Sequence, residues 1–313
     1  MPVIESRRVV KSFGSQAVLR GASISIEKGQ VVGLLGTNGS GKSTLIKCLL
    51  GLLNVNDGDV QLFGEESWNL SASAKSRLGY VPQEAKFYSW MKVRHVVDYW
   101  GTFYANWDKA WVNELMDRWE VPREQRIGPL SPGQLQRLAL VIALGHRPEL
   151  LILDEPVASL DPLGRRETLR QLIDLTQDGE HTVLFSTHIL SDLERVASHI
   201  AILVDGRIAC FEELDGLKDR VKRLRLRSSR ELPQSFAVPG AMRTSISGCD
   251  ALIAVAELDE SLIESLERTW DAEVKIEDLS LEEIFLELSG PKATSTISDH
   301  LVMQGSRKRG ETR

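Results

Sequence analysis

A glycine-rich loop that carries a lysine and hydroxyl side chains is the part of this sequence best suited to chemistry. Because glycines have no Cβ atom, their backbone N–H groups can turn inward and approach phosphate oxygens closely. Lys42 would reach the β- and γ-phosphates of a nucleotide, and the Ser43 hydroxyl would ligate Mg²⁺. The pattern predicts a binding site for a nucleoside triphosphate, formed by Gly36, Thr37, Asn38, Gly39, Ser40, Gly41, Lys42, Ser43 and Thr44.

The elements on either side of this loop fit that prediction. An apolar run at residues 31–35 predicts a strand before the loop, and residues 45–50 predict a helix after it. The N-terminal end of that helix carries a partial positive charge, which favours phosphate. This strand–loop–helix order is typical of a P-loop and argues against a glycine-rich turn that binds nothing.

Two carboxylates follow a second apolar run. The four consecutive aliphatic residues 150–153 are typical of a strand that is buried on both faces of a parallel sheet. Asp154 and Glu155 come directly after this strand, at the edge where α/β sheets place their ligand chemistry. Adjacent carboxylates at a strand end can also be exposed loop residues. In a chain with a P-loop, we expect Asp154 to face Mg²⁺ and Glu155 to face the water that attacks the γ-phosphate.

Three further residues are candidates for the nucleotide site because of their positions beside predicted strands and turns. Gln83 follows a strand-like run at 78–81, and its amide could contact both a metal ion and an attacking water. His188 follows the predicted strand 182–187 and could donate a hydrogen bond to a γ-phosphate oxygen. Phe13 precedes a glycine in a turn-like setting and could stack on a purine ring. Taken singly, each has a plainer explanation, as a loop residue, a polar surface residue and a core phenylalanine respectively.

Ser131 and Pro132 predict the start of a helix. Serine is a good N-cap, and proline fits the first helical position because its missing N–H costs nothing there. The helix would continue through residues 135–145. A separate turn at 159–162, which contains Asp161, precedes another predicted helix.

Composition limits the class of protein. The chain has 313 residues and a formal net charge of −6, which argues against nucleic acid as its main partner. Its three cysteines, Cys48, Cys210 and Cys249, lack metal-ligand spacing and predict reduced thiols in the cytoplasm. No apolar run approaches the roughly 20 residues of a membrane span, and the first residues lack a signal-peptide layout. Any membrane role would therefore need a separate subunit.

The predicted organisation is a large domain at 1–215, an accessory α+β domain at 216–290 and a polar tail at 291–313. We expect the tail to be flexible. Residues 85–147 predict an aromatic-rich helical subdomain, and most of its aromatic side chains should fill a core. A few of them, near 87–90, could instead line a groove for a partner's helix.

The accessory domain has one distinctive pattern. Arg223, Arg225 and Arg227 alternate with leucines, so the arginines share one face of a predicted strand. A solvated face explains the pattern most simply, and contact with an anionic membrane surface is the alternative.

Taken in order along the chain, these motifs resemble the ATP-binding-cassette (ABC) ATPase family. The similarity covers residues 3–215 and includes the A-loop aromatic (Phe13), Walker A (36–43), the Q-loop (Gln83), the signature motif (130–134), Walker B (150–155), the D-loop (159–162) and the switch histidine (His188). Apart from the P-loop, each motif alone is weak. The ordered set is specific. Residues 278–285 are similar to the C-terminal appendage of ABC-2-type export ATPases.

The resemblance implies an α/β P-loop core with a helical subdomain, an antiparallel β subdomain and a small α+β appendage. It implies ATP and Mg²⁺ as ligands, with Ser43, Gln83 and Asp154 at the metal and Glu155, His188 and Gln83 in hydrolysis. The chain would be the ATP-hydrolysing subunit of an ABC-2-type exporter. It would sit at the inner face of the membrane through a separate permease.

In this family each ATP lies between two subunits. The resemblance implies that Ser131, Gly133 and Gln134 of a second copy, in a homodimer or a heterodimer, would complete the site, with Asp161 in the D-loop. One departure stands out, because Pro132 replaces the first glycine of the usual Leu-Ser-Gly-Gly-Gln signature. Proline stiffens this loop, but Ser131 and Gly133 are retained, so we expect activity to survive.

A soluble ABC ATPase that acts on DNA or ribosomes is the alternative. Such proteins usually carry a long coiled coil, zinc-binding insertions or two cassettes. This sequence has neither heptad runs nor Cys-x-x-Cys pairs, and it shows one cassette. The exporter interpretation is therefore preferred, and the sequence does not indicate the transported compound.

Overall fold

The computed structural model describes residues 2–158, 160, 162–176 and 181–289. Asp161 and the predicted tail at 291–313 lie outside the described residues. The chain divides into two compact units, the first ending at Ile208 and the second beginning at Ala209. The boundary predicted at residue 215 lies a few residues beyond this division.

Two sheets form the framework of the first unit. Its strands are β1 (Ile4–Phe13), β2 (Gln16–Ile26), β3 (Val31–Leu35), β4 (Asp57–Leu62), β5 (Glu65–Glu66), β6 (Leu78–Val81), β7 (Leu150–Leu153), β8 (Thr182–Thr187) and β9 (His199–Val204), followed by β10 (Arg207–Glu213), which runs past the end of the unit. Within the described residues, one sheet is antiparallel with the order β2-β1-β4-β5. The other has the order β10-β9-β3-β8-β7-β6. The molecule thus has the mixed α/β architecture that the sequence predicts.

The second sheet brings the predicted motifs to one edge. β3 pairs in parallel with β8 and β9, and β7 pairs in parallel with β6 and β8. Every residue of β3, β7 and β8 is buried, which explains the near-continuous apolar sequences of β3 and β7 and the apolar centre of β8. Because these strands run in the same direction, the segments that follow them emerge together at the carboxyl edge of the sheet.

Helices of the first unit flank these sheets. They are α1 (Lys42–Leu49), a short 3₁₀ helix (Ser67–Asn69), α2 (Ala72–Lys75), α3 (Val93–Gly101), α4 (Lys109–Arg118), α5 (Pro132–Leu144), α6 (Pro162–Thr176) and α7 (Leu190–Val196). α5 packs against both α3 and α4, in the region where the sequence predicts a helical subdomain, and Val93, Leu115 and Leu138 of these helices are buried. None of the helices in the described part of the chain combines the length and the apolarity of a membrane span.

The second unit is a small α+β domain. Its elements after β10 are α8 (Leu214–Arg220), β11 (Lys222–Ser228), β12 (Ala241–Ser247), β13 (Asp250–Val255), α9 (Glu260–Trp270), β14 (Ala272–Asp278) and α10 (Leu281–Ser289). The strands form an antiparallel sheet with the order β12-β13-β11-β14. Leu224 and Leu226 are fully buried in its core with Leu266 of α9. Arg225 and Arg227 alternate with these leucines and are exposed on the opposite face.

Candidate nucleotide site

The glycine-rich loop lies between β3 and α1 and depends on glycine at defined points. Gly39 has φ +81° and Gly41, the N-cap of α1, has φ +104°, a region that residues with a Cβ rarely adopt. At Gly36 a Cβ would lie 2.5 Å from Ser40 Oγ and 2.8 Å from the Leu203 carbonyl oxygen. The loop is therefore curled more tightly than larger residues would allow.

Lys42 is held at the centre of this loop. Its ammonium group donates hydrogen bonds to the carbonyl oxygens of Gly36 (2.9 Å) and Thr37 (3.2 Å). It also lies 3.4 Å from Glu155 Oε1, and both side chains are almost fully buried, with exposures of 5% and 10%. A buried ammonium requires such partners, because leaving it unpaired away from water is costly. The arrangement places a fixed positive charge over the loop.

Asp154 lies directly after β7 and joins the loop to the sheet. Only 1% of the residue is exposed. Its Oδ1 accepts hydrogen bonds from Ser43 Oγ at 3.1 Å and from Ser186 Oγ at 2.8 Å. The structure therefore brings together Ser43 and Asp154, two of the three residues predicted to hold the metal ion. The third, Gln83, is exposed and lies two residues beyond β6, the strand that pairs with β7.

Glu155 has an unusual backbone conformation. Its φ is +47°, in the left-handed region, which costs a non-glycine residue on the order of 1–3 kcal/mol. Its N–H donates to Ser186 Oγ at 2.8 Å, and its Oε2 lies 3.1 Å from His188 Nδ1. The strained turn thus aims the carboxylate between Lys42 and His188, so these three predicted site residues meet.

Burial changes the acidity of two groups near this cluster. Burial raises the pKa of Tyr80 on β6 to about 12, and the negative charge of Asp154 adds to the effect. Burial also raises the pKa of Asp192, which is 3% exposed on α7, while the charges of Arg165 and Arg195 act in the opposite direction. Both shifts show that these two side chains are shielded from water.

The signature residues form a separate local arrangement at the start of α5. Ser131 is the N-cap, and Pro132 takes the first helical position, as the sequence predicts. Ser131 Oγ accepts from the Gln134 N–H at 3.2 Å, while Gln134 Oε1 accepts from the Ser131 N–H at 2.9 Å, which makes a capping box. A Cβ on Gly133 would lie 3.0 Å from the side chain of Leu160, which follows the Walker B segment. The hydrogen bonds of Ser131 and Gln134 thus stay within the first turn of their own helix.

Phe13 differs from the core residue that its position alone would suggest. It is the last residue of β1 and is 49% exposed. Its ring centroid lies 5.3 Å from Lys11 Nζ, within cation–π range. A half-exposed aromatic face of this kind is available for stacking.

Ser186 is the residue that sequence reasoning did not single out. It is completely buried on β8, where its hydroxyl donates to the Asp154 carboxylate and accepts from the Glu155 N–H, just beyond the neighbouring strand β7. The available signal was a polar residue directly after the apolar run 183–185, near the end of a buried parallel strand.

A P-loop between a parallel strand and a helix, with two carboxylates on a nearby strand, defines a P-loop nucleoside triphosphatase. The family model described as "ABC transporter" matches residues 19–158. The bacitracin transport ATP-binding protein BcrA of Bacillus licheniformis is 32% identical and covers 70% of this chain and 72% of its own. The Nod factor export ATP-binding protein I of Burkholderia lata is 35% identical, covering 66% and 70%. The chain belongs to the ATP-binding proteins of ABC transporters.

One further relative matches most of the chain, and a solved structure matches its fold. The ABC transporter ATP-binding protein YtrB of Bacillus subtilis is 28% identical over 93% of this chain and 99% of its own. The solved structure of an ATP-binding subunit of an ABC transporter matches with a TM-score of 0.63 at 26% identity, over 69% of this chain and 92% of its own. These findings confirm the predicted ABC ATPase fold, ATP binding and ATP hydrolysis.

Proposed function

We propose that this chain energises an ABC-2-type exporter by coupling ATP hydrolysis to a separate membrane permease. The observation that carries the proposal is the convergence of Lys42, Asp154 and Glu155 at one sheet edge, while Ser131 and Gln134 bond to each other at the start of a different element, α5. Half of an ABC site is thus assembled within one chain. The export direction is supported by the similarity to the Nod factor export ATP-binding protein I.

The residues present fit a bound Mg²⁺. Ser43 and Asp154 supply a hydroxyl and a carboxylate oxygen within 3.1 Å of each other, and oxygen donors are the ligands that Mg²⁺ prefers. Gln83 would add an amide oxygen from the end of the neighbouring strand. When bound, the ion would neutralise charge on the β- and γ-phosphate oxygens.

The remaining groups of the cluster act on the nucleotide and the water. The half-exposed Phe13 ring would stack on the purine, and the loop N–H groups with Lys42 would hold the phosphates. The unpartnered, buried Ser40 hydroxyl fits a loop that receives a polar ligand. Glu155 would orient the attacking water and His188 would contact the γ-phosphate, and the 3.1 Å contact between them would keep both in place.

A second copy would complete the site. Its Ser131, Gly133 and Gln134 would face the γ-phosphate from the opposite side. Bound ATP would then hold two chains together, and its hydrolysis would let them separate.

Pro132 lacks only an N–H that the first helical position does not use, so the signature should remain functional. A Pro132→Gly variant that turned over ATP more than about tenfold faster would show that the proline impairs the site.

The permease would dock on exposed aromatic side chains near Gln83. Tyr88 and Trp90 are 68% and 69% exposed, with ring centroids 6.0 Å apart. Neighbouring exposed aromatic side chains commonly mark a protein contact, and an apolar surface of this kind can bind an amphipathic helix. Such docking would place the chain at the inner face of the membrane. Membrane fractionation that requires a co-expressed permease would support this, whereas co-sedimentation with DNA or ribosomes would support the alternative.

The proposal is tested most simply with Glu155→Gln. This variant should bind ATP and Mg²⁺ but hydrolyse slowly, so it should accumulate as an ATP-bound dimer on size-exclusion chromatography. Glu114→Gln, which changes an exposed carboxylate on α4, is the matched control and should remain like the unmodified chain. A Glu155→Gln chain that stays monomeric at saturating ATP and Mg²⁺ would contradict the proposal.

A further inference from the structure

We infer that Ser186 is a positioning residue that fixes both Walker B carboxylates through a single hydroxyl group. Ser186 lies on β8 and is completely buried. Its Oγ donates a hydrogen bond to Asp154 Oδ1 at 2.8 Å and accepts one from the Glu155 N–H, also at 2.8 Å. The inference rests on the roles proposed for Asp154 and Glu155.

The two hydrogen bonds act on different parts of the segment that follows β7. The first holds the Asp154 carboxylate, whose Oδ1 also accepts from Ser43 at 3.1 Å, so the carboxylate is fixed between β8 and the loop. The second satisfies the N–H of Glu155, whose φ is +47°. A strained backbone conformation persists only when surrounding contacts hold it in place, and this hydrogen bond is one such contact.

A hydroxyl is suited to this position because it donates and accepts at once. Alanine at this position can do neither, and a cysteine thiol does both weakly. Without the hydroxyl, the Asp154 carboxylate would lose one restraint and the Glu155 N–H would lose its partner. The carboxylate of Glu155 could then move away from Lys42 and His188, which it contacts at 3.4 and 3.1 Å.

A plain structural role is the competing explanation, and the same strand offers a matched control. Thr182, at the other end of β8, is also completely buried, and its Oγ1 accepts from the Gly29 N–H at 3.0 Å. Its hydroxyl therefore stabilises the strand away from the carboxylates. Thr182→Val removes a buried hydroxyl from β8 just as Ser186→Ala does.

The test compares these variants in the full-length chain, measuring ATP turnover, its dependence on Mg²⁺ concentration, nucleotide binding without Mg²⁺, and thermal stability. Ser186→Ala should lower kcat or raise the Mg²⁺ requirement by about 10–100-fold, as loss of groups that orient metal ligands commonly does. Binding of nucleotide without Mg²⁺ should change by less than about twofold. Ser186→Thr, which keeps the hydroxyl, should restore most of the loss. Thr182→Val should lower stability but leave turnover unchanged.

Three results would overturn the inference. Ser186→Ala could keep the kcat and Mg²⁺ dependence of the unmodified chain, Thr182→Val could lose as much turnover, or Ser186→Thr could fail to recover it. If Ser186→Ala does not fold, Ser186→Cys decides the same comparison, because the thiol fills the position but hydrogen-bonds only weakly. Glu155→Gln is measured in parallel. Normal ATP hydrolysis by Glu155→Gln would overturn the proposed role of Glu155. If Glu155→Gln loses hydrolysis but Ser186→Ala hydrolyses ATP normally, only the inference about Ser186 is overturned.

Discussion

Charged side chains gather at two sheets of this molecule, and the two groups are built differently. In the first unit, Lys42 and Asp154 are 5% and 1% exposed, and their partners come from several segments at one sheet edge. In the second unit, Arg225 and Arg227 keep 59% and 78% of their side chains exposed. Each of these arginines lies within 4.0 Å of a single carboxylate on an adjacent strand.

The difference shows how a site can be told from a charged surface. Burying a charge is expensive unless several partners compensate for it, so a converging buried cluster is weak evidence for stability and stronger evidence for function. An exposed ion pair contributes about 0–1 kcal/mol and can sit almost anywhere on a sheet. The arginine face of the second unit therefore has the character of a solvated surface, the simpler of the two explanations that its sequence offers.

Removing a buried cation should have the largest effect. We expect Lys42→Ala to lower ATP turnover by at least about 100-fold, since the lysine would hold the β- and γ-phosphates. Lys275→Ala removes a cation that is 68% exposed on the second unit's sheet and should leave turnover unchanged. Steady-state ATP hydrolysis measures both variants. A Lys42→Ala chain that hydrolyses ATP at the rate of the Lys275→Ala chain would remove the distinction between the two clusters.

A difference should also appear within the second unit. The Arg223 side chain is 19% exposed and donates to Glu283 and Glu287 of α10 at 2.8 and 3.1 Å. Arg223→Ala should destabilise α10 by about 1–3 kcal/mol, because Glu283 and Glu287 both lose a hydrogen bond from a largely buried guanidinium group. Arg225→Ala should cost about 0–1 kcal/mol. Amide hydrogen exchange of residues 281–289 measures the local effect, and equal protection in both variants would contradict it.

The smallest effect concerns acid pH. Hydrogen bonds from the Ser280 N–H and hydroxyl, followed by the bond from Arg223, lower the pKa of Glu283 below its ordinary value of 4.5. The charged carboxylate therefore stabilises α10 above pH 4.5, and this contribution is lost as the pH falls through the lower folded-state pKa.

Glu283→Gln should accordingly reduce α10 protection at neutral pH and flatten its loss below pH 4.5. Glu282→Gln changes an exposed neighbour on the same helix and serves as the control. Exchange protection factors measured across this pH range report the difference. A Glu283→Gln chain with the same acid profile as Glu282→Gln would show that the pairing has no energetic consequence.

The parts of the site that depend only on neighbouring residues could be predicted from the sequence. The loop between β3 and α1, the buried strand before Asp154 and the capped start of α5 at Ser131 were all predictable, because their signals lie within a few residues. The α/β fold class followed from the same signals.

Features that depend on pairing between distant residues were not predictable. Ser186 meets Asp154 because β7 and β8 pair in parallel, and the two residues are 32 positions apart in sequence. The exposure of Phe13 and the partial burial of Arg223 depend on what packs around each strand, which periodicity does not specify. The left-handed φ of Glu155 likewise follows from its tertiary partners.

The central claim is that the loop of one chain and the signature motif of another form one site. The most direct test mixes two variants that should each be inactive, Lys42→Ala and Ser131→Ala, and measures ATP turnover. In a mixed pair, the intact loop of the Ser131→Ala chain meets the intact signature of the Lys42→Ala chain, so activity should appear on mixing. A mixture no more active than the average of its two components would contradict the claim.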